Sequence, residues 1–123
     1  NDDVLRPRSK RQAAIDIFMT PEPGEVYRVD LGIGGKVRHF IVVSRRDDDA
    51  PRALVLCVPI TTQNRGSKYE VELPRARFLR EVSFANVQGL QAVQHHELEG
   101  PVGRFTEPAM GHIRAALRYA MGL

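Results

Sequence analysis

The chain has 123 residues, with 18 Lys or Arg against 15 Asp or Glu, and its formal net charge is +3. This length is typical of one domain, and no apolar run approaches the roughly twenty residues of a membrane-spanning helix. The single cysteine excludes an internal disulfide. Residues 1–20 are polar and charged and show no secretory signal pattern, so the sequence predicts a soluble, cytoplasmic protein.

Residues 1–20 are predicted to be an N-terminal extension, followed by one domain over residues 21–123. Ser9 is a suitable cap for a short helix through KRQAAIDIFM, but the apolar residues of that segment do not fall on one helical face. Pro21 and Pro23 exclude a helical continuation and mark the start of the domain. The role of the extension stays open.

Five or six segments of the domain have the pattern of β-strands. In EVYRVDL, for example, Tyr27, Val29 and Leu31 occupy one face of an alternating segment. The glycine-rich GIGG and the charged residues 47–49 are predicted to be loops between strands. The predicted strands, in chain order, are EVYRVDL, RHFIVVS, RALVLCVPI, KYEVELP, EVSFANVQGLQAV and GPVGRF.

The end of the chain is predicted to be a helix that is capped by Thr106, accepts Pro108 in its first turn and stops at Gly122. Its apolar residues recur at three- and four-residue spacing and form one stripe, made of Met110, Ile113, Leu117 and Met121. Short strands followed by one helix predict a mainly β fold, either a small, strongly bent sheet or a closed barrel.

Several features that resemble functional sites are better explained as ordinary structure. GIGG precedes no helix and no GK[ST] sequence, so a hairpin loop is favoured over a phosphate-binding loop. The adjacent His95 and His96 point to opposite faces of an extended chain and make a poor chelating pair. Asp47–Asp49 lacks the spacing of a calcium loop, and Cys57 lies among Leu and Val as an inert core thiol does. No metal site and no cofactor are predicted.

The segment LVLCVPITTQNRGSKYEVELP ends a core strand in a run of hydrogen-bonding side chains, Thr61 to Arg65. A tight turn needs only Gly, Asn or Pro. The run is either a polar hairpin connection or a set of donors and acceptors for the phosphates and base edges of a nucleic acid. Arg38 likewise has two interpretations, an ion pair with Asp30 or Glu25, or an anion-binding group in a groove.

The order and spacing of PGEVYRVDLG, VRHFIVVS, LVLCVPITTQ, SFANVQGLQAV and GPVGRF resemble the MazF/PemK toxins of bacterial type II toxin–antitoxin systems. The resemblance covers about residues 22–122, and VPITTQ is its most specific part. It implies a compact SH3-like barrel of five to six strands with a C-terminal helix, assembled as a homodimer. It also implies a metal-independent endoribonuclease that cuts single-stranded RNA at short sequences and is silenced by a cognate antitoxin.

Carried over by position, the resemblance assigns catalysis to Arg38 and Thr61. His39 stands where the family commonly has proline, and it either adds acid–base capacity near pH 7 or points to the opposite face of its strand. The residues expected to bind RNA lie beside the catalytic pair or on the later strand, and are Lys36, His39, Thr62, Gln63, Asn64 and Gln88.

The alternative function is a non-catalytic binding module on the same barrel. Such a module is either a gyrase-directed toxin like the related CcdB group or a degenerate member that binds only antitoxin or RNA. The presence of both Arg38 and Thr61 favours the enzyme, whereas the loop before Arg38, which is shorter than is usual in the family, favours the binding module.

Overall fold

The computed structural model describes residues 20–32 and 34–123, so the predicted extension lies outside the described residues except for Thr20. Seven strands, two short 3₁₀ helices and one α-helix form in these ranges, and none of the helices has the length and apolar character needed to cross a membrane. The strands are β1 Glu25–Asp30, β2 Val37–Val42, β3 Leu54–Thr61, β4 Glu70–Glu72, β5 Phe84–Asn86, β6 Gln91–Gln94 and β7 Glu99–Arg104. The 3₁₀ helices are Val87–Gly89 and His95–Glu97, and the α-helix, α1, is Ala109–Met121.

The strands pair antiparallel in the order β4-β5-β3-β2-β1-β7, and β6 pairs with β3 outside this path. The predicted mainly β fold with a C-terminal helix is therefore confirmed. The predicted count of five to six strands is wrong, because seven lie in the described ranges. The path of paired strands is also open, with β4 at one end and β7 at the other, so strand pairing in these ranges does not close a barrel.

The segment EVSFANVQGLQAV, predicted to be one long strand, is two strands with a 3₁₀ helix between them. β6 pairs with the first half of β3, and β5 pairs with its last two residues. Pro59 lies between these two paired stretches and has no N–H to donate. A Cβ on Gly89 would lie 2.5 Å from the Pro59 ring, so only glycine lets the chain pass this close. The neighbouring chain therefore leaves β3 beside Pro59, and the sheet bends there.

Helix α1 begins at Ala109, and Pro108 occupies the cap position. The predicted side-chain cap is wrong, because the Thr106 hydroxyl donates to the carbonyl oxygen of Glu107 at 3.4 Å and does not reach the helix N–H groups. The Thr106 carbonyl oxygen does accept the N–H of Met110 at 3.2 Å. The predicted stop at Gly122 is confirmed by its left-handed backbone, with φ of 72°.

Both faces of the sheet carry buried residues. The face that α1 covers, here called the helix face, includes the buried residues Val26, Ile41, Val58 and Ile60. The opposite face, here called the tyrosine face, includes the buried residues Tyr27, Val29, Phe40, Val42, Val55, Cys57 and Val93. In the predicted stripe of α1, Met110 and Ile113 are buried and Leu117 is half-buried, but Met121 is exposed. The stripe packs on the core from Met110 to Leu117, and its last residue does not.

Candidate functional site

The hairpin between β1 and β2 precedes the first residue of the candidate site. The Leu31 N–H donates to the Lys36 carbonyl oxygen at 3.0 Å, and the Gly32 N–H donates to Asp30 Oδ1 at 2.8 Å. Gly34 and Gly35 have φ of 60° and 68°, values at which a side chain is strained. The prediction of a hairpin loop is confirmed, and the loop uses the Asp30 carboxylate as a cap for its own backbone.

Arg38 and Thr61 lie on neighbouring antiparallel strands at the same end of the sheet. The β2–β3 register pairs Val42 with Cys57 and Phe40 with Pro59. The β2–β3 pairing ends at Phe40 and Pro59, and Arg38 and Thr61 lie two residues beyond this last pair on their strands. Because side chains on a strand alternate between faces, both residues share the tyrosine face with Phe40 and Cys57. The fold places the two predicted catalytic residues at the same end of neighbouring strands, with Arg38 exposed and Thr61 half-buried.

Arg38 forms no ion pair within the described residues. The two carboxylates proposed as its partners have other roles. Asp30 accepts the Gly32 N–H, and Glu25 Oε1 accepts the Glu22 N–H at 2.7 Å and the Tyr27 hydroxyl at 3.0 Å. The interpretation of Arg38 as a structural ion-pair residue is therefore wrong, and its guanidinium is available to an anionic ligand.

The polar residues after β3 form turns with one another. Thr61 Oγ1 accepts the Gln63 N–H at 3.1 Å, Asn64 Oδ1 accepts the Gly66 N–H at 2.8 Å, and Gln63 Oε1 accepts a guanidinium N–H of Arg65 at 3.3 Å. In these three bonds the side chains of Thr61, Gln63 and Asn64 act as acceptors. The Thr61 hydroxyl proton and the side-chain amide N–H groups of Gln63 and Asn64 have no partner in the described ranges. The segment is a folded connection that presents hydrogen-bond donors, the groups that a phosphate oxygen accepts from.

Glu70, which sequence reasoning missed, organises this connection. Its carboxylate accepts the Arg65 N–H at 3.1 Å, the Ser67 N–H at 3.2 Å and the Ser67 hydroxyl at 2.9 Å. Burial acts to raise the pKa of Glu70, but the hydrogen bonds from Ser67 and Arg65 outweigh it, and the pKa lies below its ordinary value. A signal was present in the sequence, since an acidic residue after Gly66-Ser67 is well placed to accept the N–H groups of a turn.

The structure places His39 on the helix face, away from Arg38. Its ring centroid lies 5.7 Å from that of Phe78. Burial lowers the pKa of His39, and the positive charge of Arg28, across the β1–β2 pair, lowers it further. A half-buried imidazole held against an aromatic ring has a packing role, and it does not share the face of the predicted catalytic pair.

The remaining predicted RNA-binding residues lie either next to the ends of β2 and β3 or in the 3₁₀ helix between β5 and β6. Lys36 and Thr62 directly flank the site strands and are exposed. Gln88 lies in the 3₁₀ helix between β5 and β6, where its backbone N–H donates to Asn86 Oδ1 at 3.1 Å. That 3₁₀ helix packs on Pro59 through Gly89, so Gln88 lies beside β3, the strand that carries Thr61.

Two alternative kinds of site, a reactive cysteine and a metal site that includes His95 and His96, find little support. Cys57 is fully buried, and burial raises the pKa of its thiol to about 12, which keeps it protonated. His95 and His96 lie in an exposed 3₁₀ helix. Across the described ranges, no group of three His, Cys, Asp or Glu residues is arranged to hold a metal ion.

Known proteins resemble this chain in sequence and in fold. A family model described as PemK-like, MazF-like toxin of type II toxin–antitoxin system matches residues 22–121. Endoribonuclease MazF4 of Mycobacterium tuberculosis is 31% identical over 103 residues, which cover 84% of this chain and 94% of the relative. A mycobacterial endoribonuclease solved in complex with its cognate antitoxin has a TM-score of 0.73 at 30% identity, over 84% of this chain and 96% of that one. MazF from Deinococcus radiodurans, 18% identical with a TM-score of 0.69 over 85% of this chain and 98% of that one, shares the fold.

Proposed function

Because the chain belongs to the PemK-like, MazF-like toxin family of type II toxin–antitoxin systems, we propose that it is an endoribonuclease that cleaves single-stranded RNA without a metal ion. The relatives named above carry the name endoribonuclease. The proposal is supported by the positions of Arg38 and Thr61, which lie on one face and at the same end of neighbouring strands, two residues beyond the last pair of the β2–β3 ladder. Cleavage takes place in the bacterial cytoplasm.

In this mechanism the RNA supplies its own nucleophile. The 2′-hydroxyl oxygen forms a bond to the adjacent phosphorus and loses its proton, while the bond from phosphorus to the 5′-oxygen breaks and that oxygen gains a proton. The products are a 2′,3′-cyclic phosphate and a 5′-hydroxyl. Because the site is exposed and His39 is on the other face, solvent water accepts and supplies the protons.

Arg38 and Thr61 stabilise the charge that develops on the phosphorane. The guanidinium of Arg38 presents a planar fork of N–H donors, which suits two phosphate oxygens at once. The Thr61 hydroxyl donates to a non-bridging oxygen, since its own oxygen already accepts the Gln63 N–H. Fixed donors that meet a developing negative charge are worth about 10²- to 10³-fold each in rate.

The residues around the pair hold the RNA on either side of the cleaved bond. The side-chain amide of Asn64 is oriented by the turn that its oxygen caps, and that of Gln63 is oriented by the hydrogen bond that its oxygen accepts from the Arg65 guanidinium. Such groups bind phosphate oxygens or base edges. The full RNA-binding set of this proposal is Lys36, Thr62, Gln63, Asn64 and Gln88.

Two protein partners complete the proposal. A cognate antitoxin silences the enzyme, and the mycobacterial relative solved with its own antitoxin supports this part of the proposal. A second copy of the chain covers the exposed apolar residues Leu54 and Leu56, which are 40% and 45% exposed on β3, with Ala92 across from Leu56 on β6. The domain that carries all of these functions spans residues 21–123.

The test is incubation of the purified protein with a long single-stranded RNA in EDTA, beside the Arg38→Ala and Arg52→Ala variants. Arg52 is an exposed arginine in the loop at the other end of β2 and β3, and it matches Arg38 in charge and size. The wild type and Arg52→Ala should cut at discrete positions and leave 5′-hydroxyl ends. Arg38→Ala should cut about 10²- to 10³-fold more slowly with an unchanged melting temperature.

Two outcomes would count against the proposal. If the wild type cuts none of several RNAs, the chain is the non-catalytic binding module. If Arg38→Ala unfolds the protein, Arg38 is structural and the site assignment is wrong.

A further inference from the structure

Outside the candidate site, the described surface carries a second concentration of positive charge in the connection between β4 and β5, residues 73–83, here called the arginine loop. Its sequence, LPRARFLREVS, contains Arg75, Arg77 and Arg80, and all three side chains are exposed. No carboxylate of the described residues lies within ion-pair distance of them. The one hydrogen bond of these side chains joins Arg75 Nη2 to the carbonyl oxygen of Arg80 at 3.3 Å.

The arginine loop is anchored, so its charges are held in place. Leu73, Leu79 and Ser83 are buried, with exposures of 4%, 9% and 3%. The Leu73 N–H donates to the Ser83 carbonyl oxygen at 2.9 Å and closes the base of the loop. The Phe78 ring packs between His39 and Phe105, tilted against the first and edge-on to the second, with centroid distances of 5.7 and 5.8 Å. An ordered loop loses little conformational entropy when a ligand binds.

The arginine loop leads directly into the strand that pairs with Thr61. It is followed by Phe84, the first residue of β5, which is paired with Thr61 across the β3–β5 ladder and with Glu72 across the β4–β5 ladder. Phe78 contacts His39 on the helix face, opposite the face that Arg38 and Thr61 share. A single-stranded RNA that lies across Thr61 and continues past the end of β3 therefore meets the arginine loop next to Phe84.

We propose that Arg75, Arg77 and Arg80 bind backbone phosphates of single-stranded RNA on one side of the cleaved bond. This inference rests on the proposed function for the identity of the ligand. Guanidinium groups without counter-ions suit phosphate oxygens, and contacts to phosphates add affinity without reading sequence. RNA is favoured over an acidic protein because the loop continues into Phe84, which is paired with Thr61.

The test measures binding of a fluorescent single-stranded RNA by anisotropy at several salt concentrations. Every protein carries Arg38→Ala, so that the RNA stays intact. The loop variant adds Arg75→Gln, Arg77→Gln and Arg80→Gln. The matched control instead adds Arg45→Gln, Arg46→Gln and Arg52→Gln, which remove three charges from the loop between β2 and β3, at the opposite end of those strands.

The loop variant should bind RNA at least about tenfold more weakly at low salt, and its plot of log K against log salt should be shallower by about 2, since each single-strand phosphate contact contributes roughly 0.7. The control should bind within about threefold of its parent. Replacement of the three loop arginines by lysine should restore most of the slope, which a loss of folding would not allow. Melting temperatures check that each variant is folded.

Equal losses in the loop variant and the control would overturn the inference. Loss of binding to polyglutamate with unchanged RNA binding would overturn it too and would assign the loop to an acidic protein. Because binding is measured without cleavage, a chain that cuts no RNA but shows the loop-dependent slope would contradict the proposed function and leave this inference standing.

Discussion

Charged loops lie at both ends of the β2–β3 pair, and the two ends use their charges differently. In the loop between β2 and β3, Arg46 is 3.2 Å from an Asp48 oxygen and 3.7 Å from a Glu22 oxygen. At the other end, the carboxylates of Asp30 and Glu70 accept backbone N–H groups of their own loops. Arg38, at that end, forms no ion pair in the described ranges, whereas Arg46 does; Arg45 and Arg52, in the loop between β2 and β3, form none either.

This difference shows why residue type alone does not separate a surface loop from a site. Both ends contain arginine and acidic side chains, but a carboxylate that is already bonded to backbone N–H groups is a poor counter-ion for a nearby cation. Exposed cations without counter-ions retain their attraction for an anionic ligand. The comparison therefore predicts that activity depends on one end of the strand pair and is indifferent to the other.

After Arg38→Ala, the largest expected effect comes from Thr61→Val, which keeps the shape of the side chain and removes the hydroxyl. Cleavage should slow by about 10²-fold, because one fixed donor to the developing charge is lost. Single-turnover cleavage of one RNA measures the effect, and Thr106→Val, at the exposed start of α1, is the control. A cleavage rate within twofold of wild type would remove Thr61 from the catalytic pair.

A smaller loss of activity is expected for Glu70→Gln, which weakens the acceptor that holds the connection after β3. Cleavage should fall by about tenfold, since hydrogen bonds to a charged acceptor are stronger than those to a neutral one. Asp48→Asn makes the same charge change at the other end and should leave the rate unchanged. Equal effects of the two variants would break the comparison between the ends.

The same variant has a pH signature. The pKa of Glu70 is lower in the folded chain than its ordinary value of 4.5. Its contribution to stability is therefore fully present above that value and is lost as the pH falls through the folded pKa. The melting temperature between about pH 3 and pH 6 should depend less on pH in Glu70→Gln than in the wild type. Parallel curves would show that the hydrogen bonds to Glu70 do not form in solution.

The next effect sharpens the comparison between the two faces of β2. Burial and Arg28 lower the pKa of His39 below 6.5, so between the two values the unfolded chain binds more protons than the folded chain. Stability should therefore fall as the pH decreases from 6.5 toward the folded pKa. His39→Phe keeps a ring against Phe78 and should flatten this dependence, as read by melting temperature. A changed pH profile of cleavage in that variant would place His39 in the chemistry.

The strands and the terminal helix were predictable because each carries its pattern locally. The alternation in β1 and the spacing of Met110 and Ile113 in α1 both mark the faces that are buried. The break between β5 and β6 was not predicted, since it depends on Pro59, a residue of a different strand. The cap of α1 was misjudged because Thr106 has a favourable residue type but a hydroxyl bonded to its neighbour's carbonyl.

The residues of the candidate site were predictable by resemblance, but their arrangement was not. Arg38 and Thr61 are 23 positions apart in sequence, and only the pairing of β2 with β3 brings them to the same end of the sheet. Whether Arg38 has a counter-ion depends on what Asp30 and Glu25 bond to, which sequence does not specify. The sequence of the arginine loop does not mark a site, because its proposed role depends on Phe84, which follows the loop and is paired with Thr61.

The smallest expected effect is that of Arg46→Gln at the far end of the strands. Arg46 is exposed and its partners are close, but exposed ion pairs contribute little to stability. The melting temperature should fall by no more than about 2 °C, and the cleavage rate and its dependence on salt should match those of the wild type. Added salt should weaken RNA binding by both proteins equally, because the phosphate-binding cations are at the other end. A slower cleavage rate in Arg46→Gln, with an unchanged melting temperature, would mean that RNA also reaches the end of the strands that carries Arg46. The presence or absence of an ion pair would then not distinguish the site from the rest of the surface.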